Sequence, residues 1–204
     1  MTSFIIALIV IIIIYIWIKR EKGQLDFSIL PEHFVVFDLE TTGLKPDTHE
    51  IIEFGAIRVN LNSDKHDTFQ ALVLPRKKIP KKITEITGIT QEMVGKNGDS
   101  LETTLPQFIE FIGDFPLVSF NAEFDMAFLT NAIQKTQASG LANNHVSCAL
   151  KMARRAWPGR KSYRLTDLAK DGGLSAKGTH RALDDCKRTL IVYTAAATIL
   201  KSAK

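Results

Sequence analysis

The sequence predicts an α/β fold, a mixed sheet with helices on both faces, preceded by one transmembrane helix. Three apolar, strand-like runs in residues 33–74 are separated by two short turns, which is typical of an antiparallel meander. From residue 79 onward, helical periods alternate with short apolar runs, as in a sheet covered by helices. Residues 1–18 contain no charged side chain, which predicts the transmembrane helix.

The N-terminal segment is predicted to be an uncleaved, single-pass membrane anchor over residues 1–20. As a helix, the uncharged stretch would be about 27 Å long, and no polar face interrupts it. The alternative is a cleaved signal peptide, but positive charges follow the apolar run instead of preceding it. Lys19, Arg20 and Lys22 place the remainder of the chain on the cytoplasmic side of the inner membrane.

Residues 21–32 are predicted to be a linker and residues 33–204 a single domain. A chain of 204 residues is long enough for one domain with a sizeable core. The two cysteines, Cys148 and Cys186, do not have the spacing of metal ligands. We expect both to be reduced thiols.

The elements of the domain follow from local patterns in chain order. Strands are predicted at 33–39, 50–59, 67–74, 117–120 and 146–149. Helices are predicted at 79–90, where Pro80 suits the first turn and Gly88 the end, and at 101–112, 121–137, 164–170 and 182–200.

Charge is distributed unevenly along the chain. Residues 151–204 hold 13 Lys and Arg against 4 Asp and Glu, whereas residues 19–150 hold 13 against 18. A basic C-terminal quarter beside an acidic remainder suits a polyanion held against an acidic metal site. The alternative is a solvated basic helix face.

Two carboxylates stand at the end of the first predicted strand. Side chains two residues apart in a strand share a face, so Asp38 and Glu40 project from the same side. Carboxylates held this close repel each other unless a cation lies between them. A hard divalent cation such as Mg²⁺ prefers oxygen ligands, so the pair is a candidate metal site, with a solvated turn as the alternative.

Two further groups of polar residues follow later in the chain. Asn121 comes directly after strand 117–120 and could cap the next helix, on which Asp125 lies one turn later. His180 and Asp185 are five residues apart across a loop-to-helix junction. Each has a structural alternative: a surface acid, a solvent-facing histidine, or acids that complement a helix dipole.

Taken in order, these groups resemble the three motifs of the DEDDh 3′→5′ exonucleases. That family includes the proofreading epsilon subunit of bacterial DNA polymerase III and ribonuclease T. The matching pieces are Asp-Leu-Glu-Thr-Thr-Gly at 38–43, Glu-Ile-Ile-Glu-Phe-Gly-Ala at 50–56, Thr-Gly-Ile-Thr at 87–90, Asn-Ala-Glu-Phe-Asp-Met-Ala-Phe-Leu at 121–129 and His-Arg-Ala-Leu-Asp-Asp at 180–185. The resemblance covers residues 34–194 and implies a ribonuclease-H-like fold.

The resemblance also implies roles for individual residues. Two divalent ions, Mg²⁺ or Mn²⁺, would be held by Asp38, Glu40, Asp125 and Asp185. His180 would be the general base, and Asp185 is assigned in preference to Asp184 because its spacing from His180 matches the family. The terminal nucleotide would contact Thr41, Thr42, Leu44 and Asn121, with Leu44 as a wedge against its base.

Basic residues of the C-terminal quarter are candidates for contacts to substrate phosphates. They are Arg154, Arg155, Arg160, Lys161 and Arg164. Trp157 and Tyr163 stand among them and could stack on bases. For Trp157, packing in the core is the alternative that we favour.

The function implied is a membrane-attached, metal-dependent exonuclease that acts on the 3′ end of single-stranded nucleic acid, with DNA favoured. The alternatives are an RNA-trimming enzyme of the ribonuclease T or oligoribonuclease type and a non-catalytic nucleic-acid-binding module. Where the family often has a histidine before the asparagine of its second motif, this chain has Phe120. We do not expect a stable association with a polymerase, because no long extension follows Lys204; the oligomeric state stays open.

Overall fold

The structure, a computed structural model, describes residues 30–63, 65–138, 140–141, 144–173 and 180–202. Its strands are β1 (His33–Thr41), β2 (Ile51–Asn60), β3 (Asp67–Leu72), β4 (Leu117–Ser119) and β5 (Val146–Cys148). They form one five-stranded sheet in the order β3-β2-β1-β4-β5. The pairs β1–β2 and β2–β3 are antiparallel, while β1–β4 and β4–β5 are parallel. The predicted meander and the mixed sheet are confirmed.

The helices within the described ranges are α1 (Lys81–Thr87), α2 (Gln91–Asn97), α3 (Leu101–Ile112), α4 (Ala122–Thr136), α5 (Ala149–Ala156), α6 (Leu165–Asp171) and α7 (Ala182–Ser202). All five predicted helices are present. Helix α1 ends at Gly88, whose φ of 73° is the left-handed conformation that favours glycine at a helix C-terminus.

Helices α2 and α5 were not predicted from the sequence. Both are short, and unlike α1, which follows Pro80, neither has a proline that marks where it begins. Thr90 caps α2, because its side chain accepts a hydrogen bond from the Met93 amide. Helix α5 begins at Ala149 directly after β5, so the strand predicted at 146–149 ends one residue early.

Strand β1 sends alternate side chains to opposite faces of the sheet. On one face, Val35, Phe37 and Leu39 pack in a core cluster with residues of α3 and α4 that include Phe108 and Leu129. On the other face, the cluster contains Phe34, Val36, Ala149, Cys186, Leu190 and Tyr193, from β1, α5 and α7. Helices therefore cover both faces of the sheet, as predicted. Asp38 and Glu40 follow Phe34 and Val36 in the alternation along β1, so they project from the face that is covered by α7.

Helix α7 approaches the sheet closely at Gly55 of β2. A Cβ atom at this position would lie 2.5 Å from the carbonyl carbon of Ala182 and 2.5 Å from the amide nitrogen of Leu183. The Cys186 thiol also donates a hydrogen bond to the Gly55 carbonyl, at 3.3 Å. Only glycine permits this approach, which brings the first turn of α7 to the acidic end of β1.

The predicted anchor at 1–20 and linker residues 21–29 lie outside the described residues. Among the residues that the structure describes, no helix has the length and apolar character needed to cross a membrane.

Candidate active site

The acidic residues of β1 and α4 meet at one edge of the sheet. Because β4 runs parallel to β1, the carboxyl ends of the two strands point the same way, and α4 begins three residues after β4. Asp125, in the first turn of α4, is 3% exposed. Its Oδ1 accepts a hydrogen bond from the Leu39 amide at 3.2 Å, and its Oδ2 accepts one from the Ser119 hydroxyl at 2.5 Å. These bonds fasten Asp125 to both strands.

His180 and Asp185 reach the same edge from the start of α7. Asp185 is 4% exposed, and its Oδ2 lies 2.7 Å from Nδ1 of His180. Its Oδ1 accepts a hydrogen bond from Nη1 of Arg188, one turn along the helix. One ligand atom from each of Glu40, His180 and Asp185 can be chosen so that all three lie within 4.8 Å of one another. The first and third motifs therefore meet in space.

Burial and mutual repulsion raise the pKa values of the acids on β1. Burial, followed by the charges of Asp125, Glu40 and Asp185, raises the pKa of Asp38 well above its usual range. The pKa of Glu40 rises to about 8, mainly through burial and then through the Asp185 charge, although His180 lowers it. The four carboxylates are thus close enough to oppose one another's ionisation.

The pKa of Asp125 is raised to about 7 by burial, and its hydrogen bonds from Ser119 and Leu39 act in the opposite direction. The pKa of the His180 imidazole is also raised, but here the main cause is the hydrogen bond to Asp185, which favours the charged ring, and desolvation partly offsets this rise. When all four acids are ionised, the guanidinium of Arg188 offsets only one of their charges. The residues present therefore fit a site for divalent cations, which oxygen ligands and excess negative charge favour.

The segment after β1 is fastened to the body of the domain, yet it exposes Leu44. Thr41 and Thr42 are buried, and the Thr42 hydroxyl accepts a hydrogen bond from the Glu50 amide at 3.0 Å. Farther along, Lys135 of α4 donates a hydrogen bond to the Pro46 carbonyl at 3.3 Å. Leu44 is nevertheless 80% exposed. An apolar side chain held out on a fastened loop is suited to contact a ligand.

Two predictions around the second motif are refined by the structure. Asn121 occupies the N-cap position of α4, as expected, and is exposed, but its side chain makes no capping hydrogen bond. Phe120, at the position where the family often has histidine, is partly buried and packs in the apolar clusters beneath α5 and α7. Its carbonyl accepts hydrogen bonds from the Cys148 thiol and the Leu150 amide.

The basic residues after β5 divide into two groups. Arg154 and Arg155 of α5 are exposed, and on the same helix Lys151 forms an ion pair of 2.5 Å with Glu123 of α4. Arg160 is instead paired with Asp171 at 2.5 Å. Trp157 and Tyr163 pack in a cluster with residues of α6 and α7, in agreement with the core role that the sequence favoured for Trp157.

Three polar residues at the site received no role from the sequence: Ser119, Glu53 and Arg188. Ser119 bonds to Asp125 and Arg188 to Asp185. The sequence does mark Glu53 as unusual, because it is a charged residue in the middle of the apolar run 51–57. Its contacts, however, come from a segment 128 residues away, and such pairings cannot be read from local patterns.

The model of the Exonuclease family matches residues 35–193. The chain belongs to this exonuclease family. It is 36% identical over 167 residues to DNA polymerase III subunit epsilon of Aquifex aeolicus, covering 81% of each chain. It is 39% identical over 159 residues to the PolC-type DNA polymerase III of Clostridium perfringens, covering 78% of this chain but only 11% of that protein.

Solved structures agree with this membership. Exonuclease X in complex with 5′ overhanging duplex DNA is similar, with a TM-score of 0.63 and 27% identity, and the match covers 83% of this exonuclease and 92% of that chain. The ribonuclease-H-like fold implied by the sequence resemblance is therefore confirmed.

Proposed function

We propose that this exonuclease removes nucleotides from the 3′ end of single-stranded nucleic acid, with DNA as the preferred polymer. The observation that carries the proposal is the arrangement at one sheet edge of four carboxylates with His180. A DNA substrate is supported by the similarity to DNA polymerase III epsilon and to exonuclease X, whose structure contains DNA.

Four carboxylates would hold two divalent ions, Mg²⁺ or Mn²⁺: Asp38, Glu40, Asp125 and Asp185. When bound, such ions supply Lewis-acid stabilisation of the charge that develops on the phosphate oxygens. Ser119 and the Leu39 amide hold the Asp125 carboxylate in a fixed orientation, so this ligand is pre-organised by the strands on which it rests.

His180 would accept the proton of the attacking water. Its Nδ1 is hydrogen-bonded to Asp185, which fixes the ring orientation and favours a proton on Nδ1. The other ring nitrogen, Nε2, is then the one that can accept a proton. His180 is half-buried, so the ring lies at the rim of the site, where a water molecule and a substrate can reach it.

The end of β1 and the loop after it would receive the terminal nucleotide. Thr41, Thr42 and the exposed Leu44 lie directly after Glu40 in the chain, and Asn121 is exposed at the start of the helix that carries Asp125. The isobutyl group of Leu44 would pack against the terminal base and separate it from the next one. Such an apolar contact does not depend on base identity, so it suits an enzyme that degrades any sequence.

The basic face of α5 would bind phosphates farther along the strand. Lys151 contacts Glu123 in the first turn of α4, which places this face beside the helix that supplies Asp125. Arg154 and Arg155 are exposed on the same short helix. Contacts to phosphates position a strand without reading its sequence.

For residues 1–20 we propose a membrane anchor that keeps the exonuclease domain on the cytoplasmic side. The proposal rests on the uncharged run 4–18 and on the positive charges directly after it. Fractionation of cells that express the full-length chain should recover it in membranes, resistant to extraction by high salt. Release by salt would contradict the anchor and leave the exonuclease proposal intact.

The substrate is tested with single-stranded DNA and RNA of the same sequence, incubated with the full-length chain and Mg²⁺. Faster hydrolysis of DNA is expected, and faster hydrolysis of RNA would favour the ribonuclease T-like alternative. Binding of both polymers without hydrolysis in Mg²⁺ or Mn²⁺ would favour a non-catalytic module and contradict the proposal.

A further inference from the structure

Glu53 of β2 is fully buried and is surrounded by hydrogen-bond donors. Nε of Arg181 lies 3.1 Å from both of its carboxylate oxygens, and Nη2 lies 2.5 Å from Oε1. The Ala182 amide donates to Oε2 at 2.9 Å, and the Gln70 side chain donates to Oε1 at 3.0 Å. Four of these five bonds connect β2 to residues 181–182.

The residues held by Glu53 stand between His180 and the first turn of α7. On the other side, the His180 amide donates a hydrogen bond to the Ile86 carbonyl at the end of α1, at 2.9 Å. The backbone is thus fixed on both sides of His180, by α1 before the side chain and by β2 after it. Asp185 follows three residues after Ala182, on the same helical turn.

Glu53 is also directly opposite Glu40 in the β1–β2 register. Two carboxylates in such a pair face the same side and repel each other. The Arg181 guanidinium binds the Glu53 carboxylate and not that of Glu40. It therefore neutralises Glu53, while the oxygens of Glu40 stay available to a ligand in the site. A side-chain cation bound to Glu40 would instead compete with a metal ion for the carboxylate oxygens of Glu40.

A buried ion pair is weak evidence for a gain in stability, because desolvation offsets much of its Coulomb energy. What such a pair does provide is geometry: the planar guanidinium binds a carboxylate at two points and fixes the direction of both groups. In this exonuclease the pair fixes the direction of the backbone next to His180, the candidate base.

We propose that Glu53 and Arg181 are positioning residues that hold His180 and the start of α7 against the end of β1. Their proposed role is to place His180, and it requires no contact with substrate or metal ion. The inference rests on the proposed function of that histidine. Displacements of about 1 Å at a reacting group can lower a rate by about 10²-fold, so the loss of this pair should reduce turnover without removing substrate binding.

The first test is steady-state kinetics on single-stranded DNA with the full-length Arg181→Gln variant. Glu53 then keeps its bonds from Ala182 and Gln70, so the variant is expected to fold. We expect kcat to fall by about 10- to 100-fold, with KM within about twofold of the original value. Arg181→Lys keeps the charge but not the two-point contact, so its kcat should lie between those of Arg181→Gln and the original chain. Glu102→Gln, which removes the surface ion pair with Arg76, is the control and should leave both constants unchanged.

A double-mutant cycle separates positioning from a general loss of structure. If Arg181 acts through His180, then Arg181→Gln should add little to the loss already caused by His180→Ala. A purely structural role predicts that the two losses multiply. Multiplying losses, or an Arg181→Gln variant with unchanged kcat, would overturn the inference while leaving the proposed function in place.

Hydrogen exchange tests the same pair without reference to activity. In the absence of metal, amides of residues 180–186 should exchange faster in Arg181→Gln than in the original chain, and amides of β4 should not. Unchanged exchange at 180–186 would contradict the positioning role even if the original chain proved inactive. Inactivity of the original chain would instead contradict the proposed function.

Discussion

At the scale of single residues, the proposed function gives His180 the role of proton acceptor and the four carboxylates the role of metal ligands. His180 lies within reach of both roles, because its ring atoms are close to Glu40 and Asp185. If it is the base, His180→Ala should lower kcat by about 10²–10⁴ and leave the affinity for Mn²⁺ close to that of the original chain, as measured by calorimetry. The exposed His145 provides the control His145→Ala. Loss of Mn²⁺ binding in His180→Ala would make the histidine a ligand and not the base.

Asp184 and Asp185 form a matched pair of adjacent acids. Asp185 is buried against His180 and Arg188, whereas Asp184 is exposed and bonded to Lys187 at 2.7 Å. Asp185→Asn should therefore abolish Mg²⁺-dependent hydrolysis, and Asp184→Asn should retain it. The opposite pattern in a hydrolysis assay would reverse the assignment.

The raised pKa values of the acids predict how stability depends on pH. The pKa of Glu40 rises to about 8 and that of Asp125 to about 7, from ordinary values of 4.5 and 3.8. Without metal, the folded protein then binds more protons than the unfolded chain between about pH 4 and pH 8, so its free energy of unfolding falls as pH rises through that window.

Divalent ions should counteract this loss of stability at high pH, because they bind ionised carboxylates and compete with protons. We expect Mg²⁺ to raise the Tm more at pH 8 than at pH 5.5, relative to samples with EDTA. The increase at pH 8 should shrink in Asp38→Asn. A Mg²⁺ effect of equal size at both pH values would argue against these carboxylates as the ligands.

Local spacing was enough to identify some site residues and not others. Asp38 and Glu40 share a face because they alternate along one strand, and this needs no knowledge of the fold. The meeting of Asp125 with β1 and of His180 with Glu40 followed only from resemblance to a family. Arg188 lies one helical turn from Asp185, so helical spacing could have suggested it, but nothing local distinguishes it from its basic neighbours Arg181 and Lys187.

At the scale of elements, the contact between β2 and α7 places the third motif against the first. Gly55→Ala would put a methyl group against the backbone of Ala182 and Leu183, so α7 would have to move away from β1. We expect the free energy of unfolding to fall by about 1–3 kcal/mol and kcat to fall with it.

Gly95 offers a matched control for that substitution. It lies in helix α2, and a Cβ atom there would meet nothing within 4 Å. Gly95→Ala should leave activity unchanged and raise the free energy of unfolding by up to about 1 kcal/mol, because alanine favours the helix. Chemical denaturation of both variants measures the contrast, and an unaffected Gly55→Ala would contradict the close approach.

The sequence predicted the sheet and the five longer or better-bounded helical segments because their periodicity and turn residues are local. It did not predict α2 and α5, which are short and have no proline that marks where they begin. Strand order was only partly accessible: the meander follows from short turns, but the insertion of β4 beside β1 depends on packing between residues far apart in sequence.

At the scale of the whole molecule, charge predicts how the exonuclease holds its substrate. If the exposed face of α5 binds phosphates, Arg154→Ala and Arg155→Ala should each weaken the binding of single-stranded DNA. Each should also reduce the slope of log affinity against log salt by about 0.7. Anisotropy measures this in the His180→Ala background, in which hydrolysis is expected to be slow. Arg76→Ala removes an exposed charge paired with Glu102 and is the control; an equal effect there would indicate that net charge alone is responsible.

The most direct test of the central claim uses 5′-labelled single-stranded DNA with the full-length chain, in Mg²⁺ or in EDTA, beside Asp38→Asn. The account predicts a ladder that shortens from the 3′ end in Mg²⁺, and none in EDTA or with Asp38→Asn. A ladder that persists in EDTA or in Asp38→Asn, or the release of the label from the 5′ end, would contradict a metal-dependent 3′→5′ exonuclease site at these carboxylates.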